Sequence, residues 1–308
     1  MDTAEFIENA ADGAALYVRR WQPVTAPRGV IQIAHGLAEH SGRYARLAAA
    51  LTGAGYAVYA SDHRGHGRTA QSPEERGFFA ASDGWAKCVG DLWSVNRRIA
   101  AEHPDSPVVL LGHSMGSFLA QNFIEHHGDV LAGVVLSGSS GKPPAMAAVA
   151  RLIARLERLR LGPHGRSPLL DRLGFGAFNR AFEPARTPFD WLSRDPAEVD
   201  EYIADPRCGG SSTTQLWLDL LGGLSLIARP ALQARIPKDL PIHLIAGSLD
   251  PVTGNTKGLE QLIGAYRVAG LTRVSHRFYA GARHELFNET NRDEVTADLL
   301  GWLDGVVR

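Results

Sequence analysis

The chain has 308 residues, 44% of them hydrophobic, enough for one large domain or for a core carrying an insertion. Its 32 Lys and Arg residues against 33 Asp and Glu residues give a net charge of −1, which excludes whole-chain attraction to nucleic acid or an acidic membrane. Two distant cysteines, Cys88 and Cys208, exclude a metal or redox spacing, and no apolar run reaches the length of a membrane span.

Met1 to Ala10 carries three acidic residues and no basic one, unlike a secretory leader, so a cytoplasmic protein with reduced thiols is expected. Ala15 to Trp21 predicts an early strand in a hairpin. Gly29 to Ala34 predicts a buried strand, followed by a helix from Tyr44 to Gly53 and a strand from Tyr56 to Ala60. Ser72-Pro73-Glu74-Glu75 has the serine, proline and third-position acid of a capped helical turn. Trp85, Cys88, Val89, Leu92, Val95 and Ile99 recur at helical spacing, predicting a helix to about Ala101. A strand over Pro107 to Leu111, a helix from Ser117, and a strand over Leu131 to Leu136 follow.

Between Gly138 and Pro237 the strand rhythm stops. That segment predicts helices at Met146 to Leu161, Leu169 to Phe182, Pro196 to Ala204 and Thr213 to Ala228. Strands return at Pro241 to Ala246 and Val274 to Tyr279, with helices at Gly258 to Ala269 and Asp293 to Val307. Strands alternating with helices predict an α/β fold, a mostly parallel sheet flanked by helices. The hundred intervening residues are too long for an ordinary loop and predict a helical cap over the carboxyl ends of the strands. The expected organisation is a core over 1–138 and 238–308 interrupted by a cap over 139–237.

Gly112-His113-Ser114-Met115-Gly116 follows the Pro107–Leu111 strand and opens a helix. Strand, G-x-S-x-G, helix is the context of a nucleophile elbow: the turn strains the serine backbone, and the glycines two positions away make room for it. The Met115 N–H then lies at a helix N-terminus beside the serine Oγ, suited to hold an oxyanion. Such a serine needs a histidine base and a carboxylate to orient it, in chain order Ser, Asp or Glu, His. Asp250 lies just past the strand ending at Ala246. His284 lies just past the last strand, whereas His243 and His276 fall inside strands. Asp239 precedes its strand and sits at the wrong edge. Ser114, Asp250 and His284 are therefore the candidate catalytic residues. The loop after the second strand, His35-Gly36-Leu37-Ala38-Glu39-His40, offers the Leu37 N–H as the second oxyanion donor, with Gly36 allowing close approach. Glu39 and His40 are candidates for substrate contact, with the plainer expectation that they hold Leu37 in place.

His35-Gly-x-x-Glu39-His40-Ser41-Gly42-Arg43-Tyr44, Asp62-His63-Arg64-Gly65-His66-Gly67 and Gly112-His-Ser-Met-Gly116 together resemble the monoacylglycerol lipase and lysophospholipase-like branch of the α/β-hydrolases, which includes the S33-type serine aminopeptidases. Gly247-x-x-Asp250-Pro251-Val252 and His284 extend the likeness over most of the chain, and the cap run Phe178 to Asp195 looks like bacterial members. The resemblance implies an α/β-hydrolase fold and a serine hydrolase of single-chain lipid esters, with no cofactor. Leu37 departs from the smaller residue of some relatives, which implies a narrower acyl pocket.

Asp62, His63 and His66 lack further ligands for a metal and are read as a structural turn. In the cap, Val149, Leu152, Ile153, Leu156 and Leu159 form an apolar stripe beside Arg151, Arg155, Arg158 and Arg160. The favoured expectation is that this helix packs on the core, and weak peripheral membrane contact is the alternative. An aminopeptidase using Glu183, Glu198 or Glu201, an acyltransferase with the same triad, and a non-catalytic binding protein remain as rival functions. Small-molecule or lipid esters are the expected partners.

Overall fold

The computed structural model describes residues 1–141 and 147–307. Its strands are β1 (Asp2–Asn9), β2 (Ala15–Gln22), β3 (Gly29–Ala34), β4 (Tyr56–Ser61), β5 (Val108–His113), β6 (Gly133–Ser137), β7 (Ile242–Gly247) and β8 (Val274–Tyr279). Between and after them lie α1 (Ala45–Gly53), α2 (Gly84–Glu102), α3 (Met115–His127), α4 (Ala147–Leu161), α5 (Pro168–Gly174), α6 (Pro196–Ala204), α7 (Thr214–Ile227), α8 (Pro230–Gln233), α9 (Lys257–Val268) and α10 (Arg292–Val306). The strands form one eight-stranded sheet in the order β1-β2-β4-β3-β5-β6-β7-β8. β1 and β2 pair antiparallel, as do β2 and β4, and every other pairing is parallel. This is the α/β-hydrolase fold.

Strands β3, β4, β5 and β7 are buried along their whole length, which is why they read as unbroken apolar runs. Alternation still sorts their side chains between two cores. Along β5, Val108 and Leu110 join the core with α2, α3 and α9, while Val109 and Leu111 join the one with α1 and α10. β1 carried no clear strand signal because it is an edge strand, with only Ala4, Phe6 and Glu8 partly covered. From β3 the chain crosses to β4 on one side and then returns to β5 on the other. The carboxyl ends of β3 and β5 therefore part into a crevice, the place where such sheets bind ligands.

Helices α4 to α8 occupy the chain between β6 and β7, with α7 packed against α2, α3 and α4. Two expectations are corrected here. The helix expected over Leu169 to Phe182 is broken: α5 stops at Gly174, and Phe178–Phe182 is a separate 3-10 turn. A Cβ on Gly174 would lie 2.2 Å from the Trp217 ring, so the close approach of α7 requires a glycine, the poorest helix former after proline. The apolar stripe of α4 does not pack whole onto the core. Ala154 is buried, but Val149, Leu152, Leu156 and Leu159 are 47, 56, 57 and 80% exposed. Met146, expected to begin this helix, lies outside the described residues. Among the described residues, no helix is long and apolar enough to cross a membrane.

Candidate active site

Ser114 stands between β5 and α3 at φ 51° and ψ −121°, a conformation that strains any residue with a side chain. The turn is as tight as the motif implies. A Cβ on Gly112 would come 2.5 Å from Gly116 O, and one on Gly116 would come 2.0 Å from Ala34 O. The Ser114 N–H donates to Ser137 O at 2.9 Å, which ties the elbow to the end of β6.

Asp250 follows β7 and His284 follows β8, so adjacent parallel strands deliver both to the same sheet edge. His284 Nδ1 and Asp250 Oδ2 are 2.9 Å apart, and the two side chains are 2% and 0% exposed. The Val252 N–H donates to the other Asp250 oxygen at 2.8 Å, fixing the carboxylate plane. Burial opposes charge on His284, but the Asp250 carboxylate outweighs it and holds the imidazole above its ordinary pKa. The His113 ring lies 4.6 Å from the His284 ring. Burial, then repulsion from His284, pushes His113 down to about 3, so it stays neutral beside the pair. Among the described residues, Ser114 Oγ and His284 share no hydrogen bond, a contact that commonly tightens only with substrate in place. Asp239 is exposed and precedes β7, at the opposite edge.

Gly36 brings the loop after β3 against the elbow: a Cβ there would lie 3.2 Å from Ser114 Cβ. Among the described residues, neither the Leu37 N–H nor the Met115 N–H has a hydrogen-bond acceptor. Glu39 and His40 face inward. Glu39 accepts from the Gly36 N–H at 2.5 Å and from Tyr44 OH at 2.8 Å, and His40 Nε2 bonds Asp205 in the cap at 2.8 Å. Asp62 accepts from the Ser41 and Arg68 N–H groups, and His63 and His66 pack around His35 as parts of the turn.

A family profile described as serine aminopeptidase, S33, matches residues 25–291. The chain is 32% identical over 290 residues to the monoacylglycerol lipase of Mycolicibacterium smegmatis, covering 92% of this chain and 90% of that one. It is 31% identical over 286 residues to the monoglyceride lipase of Homo sapiens, covering 91% of this chain and 82% of the relative. Its fold superposes on a thermostable carboxyl esterase from Bacillus coagulans, solved with glycerol, with a TM-score of 0.92, 28% identity and complete coverage of both chains.

The chain belongs to the S33 serine aminopeptidase family of α/β-hydrolases. It is a carboxylic ester hydrolase.

Several residues of the hydrolase's site escaped the sequence reading. Gly138 has φ 59°, and a Cβ there would lie 2.8 Å from His284 Cε1, so only glycine leaves room for the imidazole. Arg43 forms a two-pronged pair with Glu285, the residue after His284, and lies 3.3 Å from Glu39. Burial opposes ionisation of Glu285, but Arg43 holds its carboxyl below the usual carboxylate range. Burial raises Glu39, because the same arginine cannot fully serve both. The helical segment between β6 and β7 contributes Trp191, whose carbonyl accepts from the His284 N–H at 3.4 Å and whose ring lies 5.2 Å from the imidazole. Motif spacing could have drawn attention to Glu285 and Arg43. Nothing local marks Gly138 or Trp191, because their partners are more than ninety residues away.

His40, Asp205 and Cys208 bring potential ligand atoms within 4.8 Å of one another. His40 already bonds Asp205, burial pushes the Cys208 thiol up, and Arg43 places positive charge beside it. That environment favours the existing His40–Asp205 hydrogen bond over a divalent cation.

Proposed function

We propose that the hydrolase cleaves monoacylglycerols or lysophospholipid-type single-chain esters through a Ser114–His284–Asp250 triad. The buried His284–Asp250 bond, at the same sheet edge as a strained Ser114, carries the reading. His284 Nε2 takes the Ser114 proton as Oγ attacks the ester carbonyl. The Leu37 and Met115 N–H groups hold the resulting oxyanion. His284 then gives the proton to the leaving alcohol as the C–O bond breaks, which leaves an acyl-enzyme. Water, deprotonated by the same histidine, releases the fatty acid and restores Ser114. Each proton is returned within a half-reaction, so the cycle requires no cofactor.

The cap over residues 139–237 supports a lipid substrate. The exposed Leu152, Leu156 and Leu159 of α4 continue into Leu169 and Leu173 of α5, themselves 47 and 51% exposed. Exposed Arg151, Arg155 and Arg160 flank them, a composition suited to weak contact with an anionic lipid surface. Of the carboxylates that an aminopeptidase would need, Glu198 is buried against Arg46 at 2.6 Å, while Glu183 and Glu201 face solvent. An acyltransferase would use the same chemistry with an alcohol in place of water. The free thiols of Cys88 and Cys208 fit residence in the reducing cytoplasm.

Turnover of a monoacylglycerol series, a lysophospholipid and an aminoacyl amide by the wild type and by Ser114→Ala tests the reading. Ester turnover that disappears in the variant is expected; faster cleavage of the amide, or activity surviving in Ser114→Ala, overturns it.

A further inference from the structure

Ala38 has φ 57°, the left-handed conformation that strains a residue with a Cβ and persists only where the surroundings enforce it. The enforcement comes from the cap. Ala38 O accepts from the Tyr202 hydroxyl at 2.9 Å and from the Gly209 N–H at 2.9 Å. Two residues on, His40 Nδ1 accepts from the Gly42 N–H at 3.1 Å, which leaves the proton on Nε2 to donate to Asp205 at 2.8 Å. Tyr202 lies in α6, is buried, and is held by the Arg43 guanidinium 4.9 Å from its ring. Asp205 ends α6, and its carbonyl accepts from the Cys208 N–H, closing the turn that presents Gly209.

The short segment Gly36-Leu37-Ala38 is thus bracketed. From the core, Glu39 holds the Gly36 N–H; from the cap, Tyr202 and Gly209 hold the Ala38 carbonyl. The Leu37 N–H lies between the two brackets. We propose that Tyr202 and Asp205 are positioning residues for this oxyanion donor, so that the cap turn 202–209 completes the catalytic machinery as well as covering it. The inference rests on the triad and oxyanion assignments proposed above. With the brackets loosened, Ala38 relaxes from its strained conformation and the Leu37 N–H turns away from the developing oxyanion. That charge exists only in the transition state, so the loss falls on kcat and spares KM.

The test uses a water-soluble short-chain ester, which keeps any lipid interface out of the measurement, together with the rate of labelling by a fluorophosphonate probe. Tyr202→Phe keeps the ring over Arg43 and removes only the hydroxyl; kcat is expected to fall about tenfold, with KM unchanged and slower labelling. Asp205→Ala is expected to behave similarly, while Asp205→Asn, which still accepts from His40, restores most of the rate. The double variant Tyr202→Phe/Asp205→Ala is expected to lose about a hundredfold in kcat. Melting temperatures measured alongside separate misfolding from misalignment. A wild type that the probe does not label at Ser114 overturns the triad assignment itself. A labelled wild type whose Tyr202→Phe variant keeps kcat, or loses activity only through a raised KM or a lowered melting temperature, overturns the positioning role.

Discussion

Two stretches of the chain between β6 and β7 are built on opposite principles. The stretch from Trp191 to Gly209 is sewn to the core by polar contacts. Leu192 O accepts from the Glu285 N–H at 2.8 Å, and Ser193 Oγ donates to Asn288 O at 2.8 Å. The Arg194 Nε donates to Glu289 at 2.8 Å, and Arg292 pairs with Asp195 at 2.8 Å. Helix α4, forty residues earlier, turns most of its leucines to solvent. Its polar ties are few: Arg158 to Gln215, and Glu157 to Arg160 and Ser167. The sewn end touches the His284 loop and the Gly36–Ala38 loop; among the described residues, α4, the bare end, makes no hydrogen bond to either. On the function proposed above, this segment separates two tasks, alignment of the reacting groups and contact with an apolar surface.

The largest effect should come from the centre that the sewn end serves. Asp250→Asn removes the charge that orients His284, and kcat should fall about ten-thousandfold in a short-ester assay. The pH profile gives the same comparison its sign. With His284 as the proposed base, catalysis needs the neutral imidazole, so kcat/KM should fall as pH drops through the histidine pKa. Because Asp250 raises that value, the wild-type acid limb lies above the ordinary histidine range. A limb below that range would show that Asp250 does not govern the imidazole.

Next in size is the seam. Glu289 is fully buried and accepts from the Arg194 Nε and from the Arg283 and Thr290 N–H groups. Glu289→Ala removes the buried acceptor shared by Arg194 and by the Arg283 and Thr290 N–H groups, and should cost about 3 kcal/mol in denaturant unfolding together with a drop in kcat. Unchanged stability would mean that the seam is decorative. A smaller, conditional effect belongs to the bare end. Leu156→Glu/Leu159→Glu should leave short-ester turnover and melting temperature unchanged. On anionic vesicles the same variant should lose several-fold in rate and binding, and added salt should weaken wild-type binding. Losses on both substrates would erase the distinction between the ends.

The smallest effect calibrates the others from outside both regions. Glu125 on α3 is buried, and desolvation raises its carboxyl to about 8 despite a bond from Asn122. The folded state binds this proton more tightly than the unfolded chain, so stability declines as pH rises from about 4.5 toward 8. Glu125→Gln should raise the melting temperature at pH 9 by about 2–4 °C and change it little at pH 4.

Much of this was readable in the sequence, for a physical reason. The parallel strands are buried on both faces, so β3, β5 and β7 appear as apolar runs, and the residues past their ends fall at one edge by topology. Chain order and strand position alone were enough to place Ser114, Asp250, His284 and the Gly36-Leu37 loop together at that edge. The cap was less legible because its contacts are long-range. Asp195 and Thr213 announced their helices by capping chemistry, yet the break at Gly174 depends on Trp217, and the exposure of α4 depends on which face α7 chose to cover. The brackets on Ala38 join residues more than 160 positions apart, and no local pattern records them.

The polar seam also sets the rules for exchanging parts between relatives. A graft that replaces the segment around α4 and α5 trades one exposed apolar surface for another and leaves the His284 and Gly36–Ala38 loops with their partners. A graft that runs on through Trp191 to Gly209 removes Trp191, Arg194, Tyr202 and Asp205 from residues of the recipient core that were shaped to meet them. For recombination, the useful boundary lies inside the cap rather than at its edges.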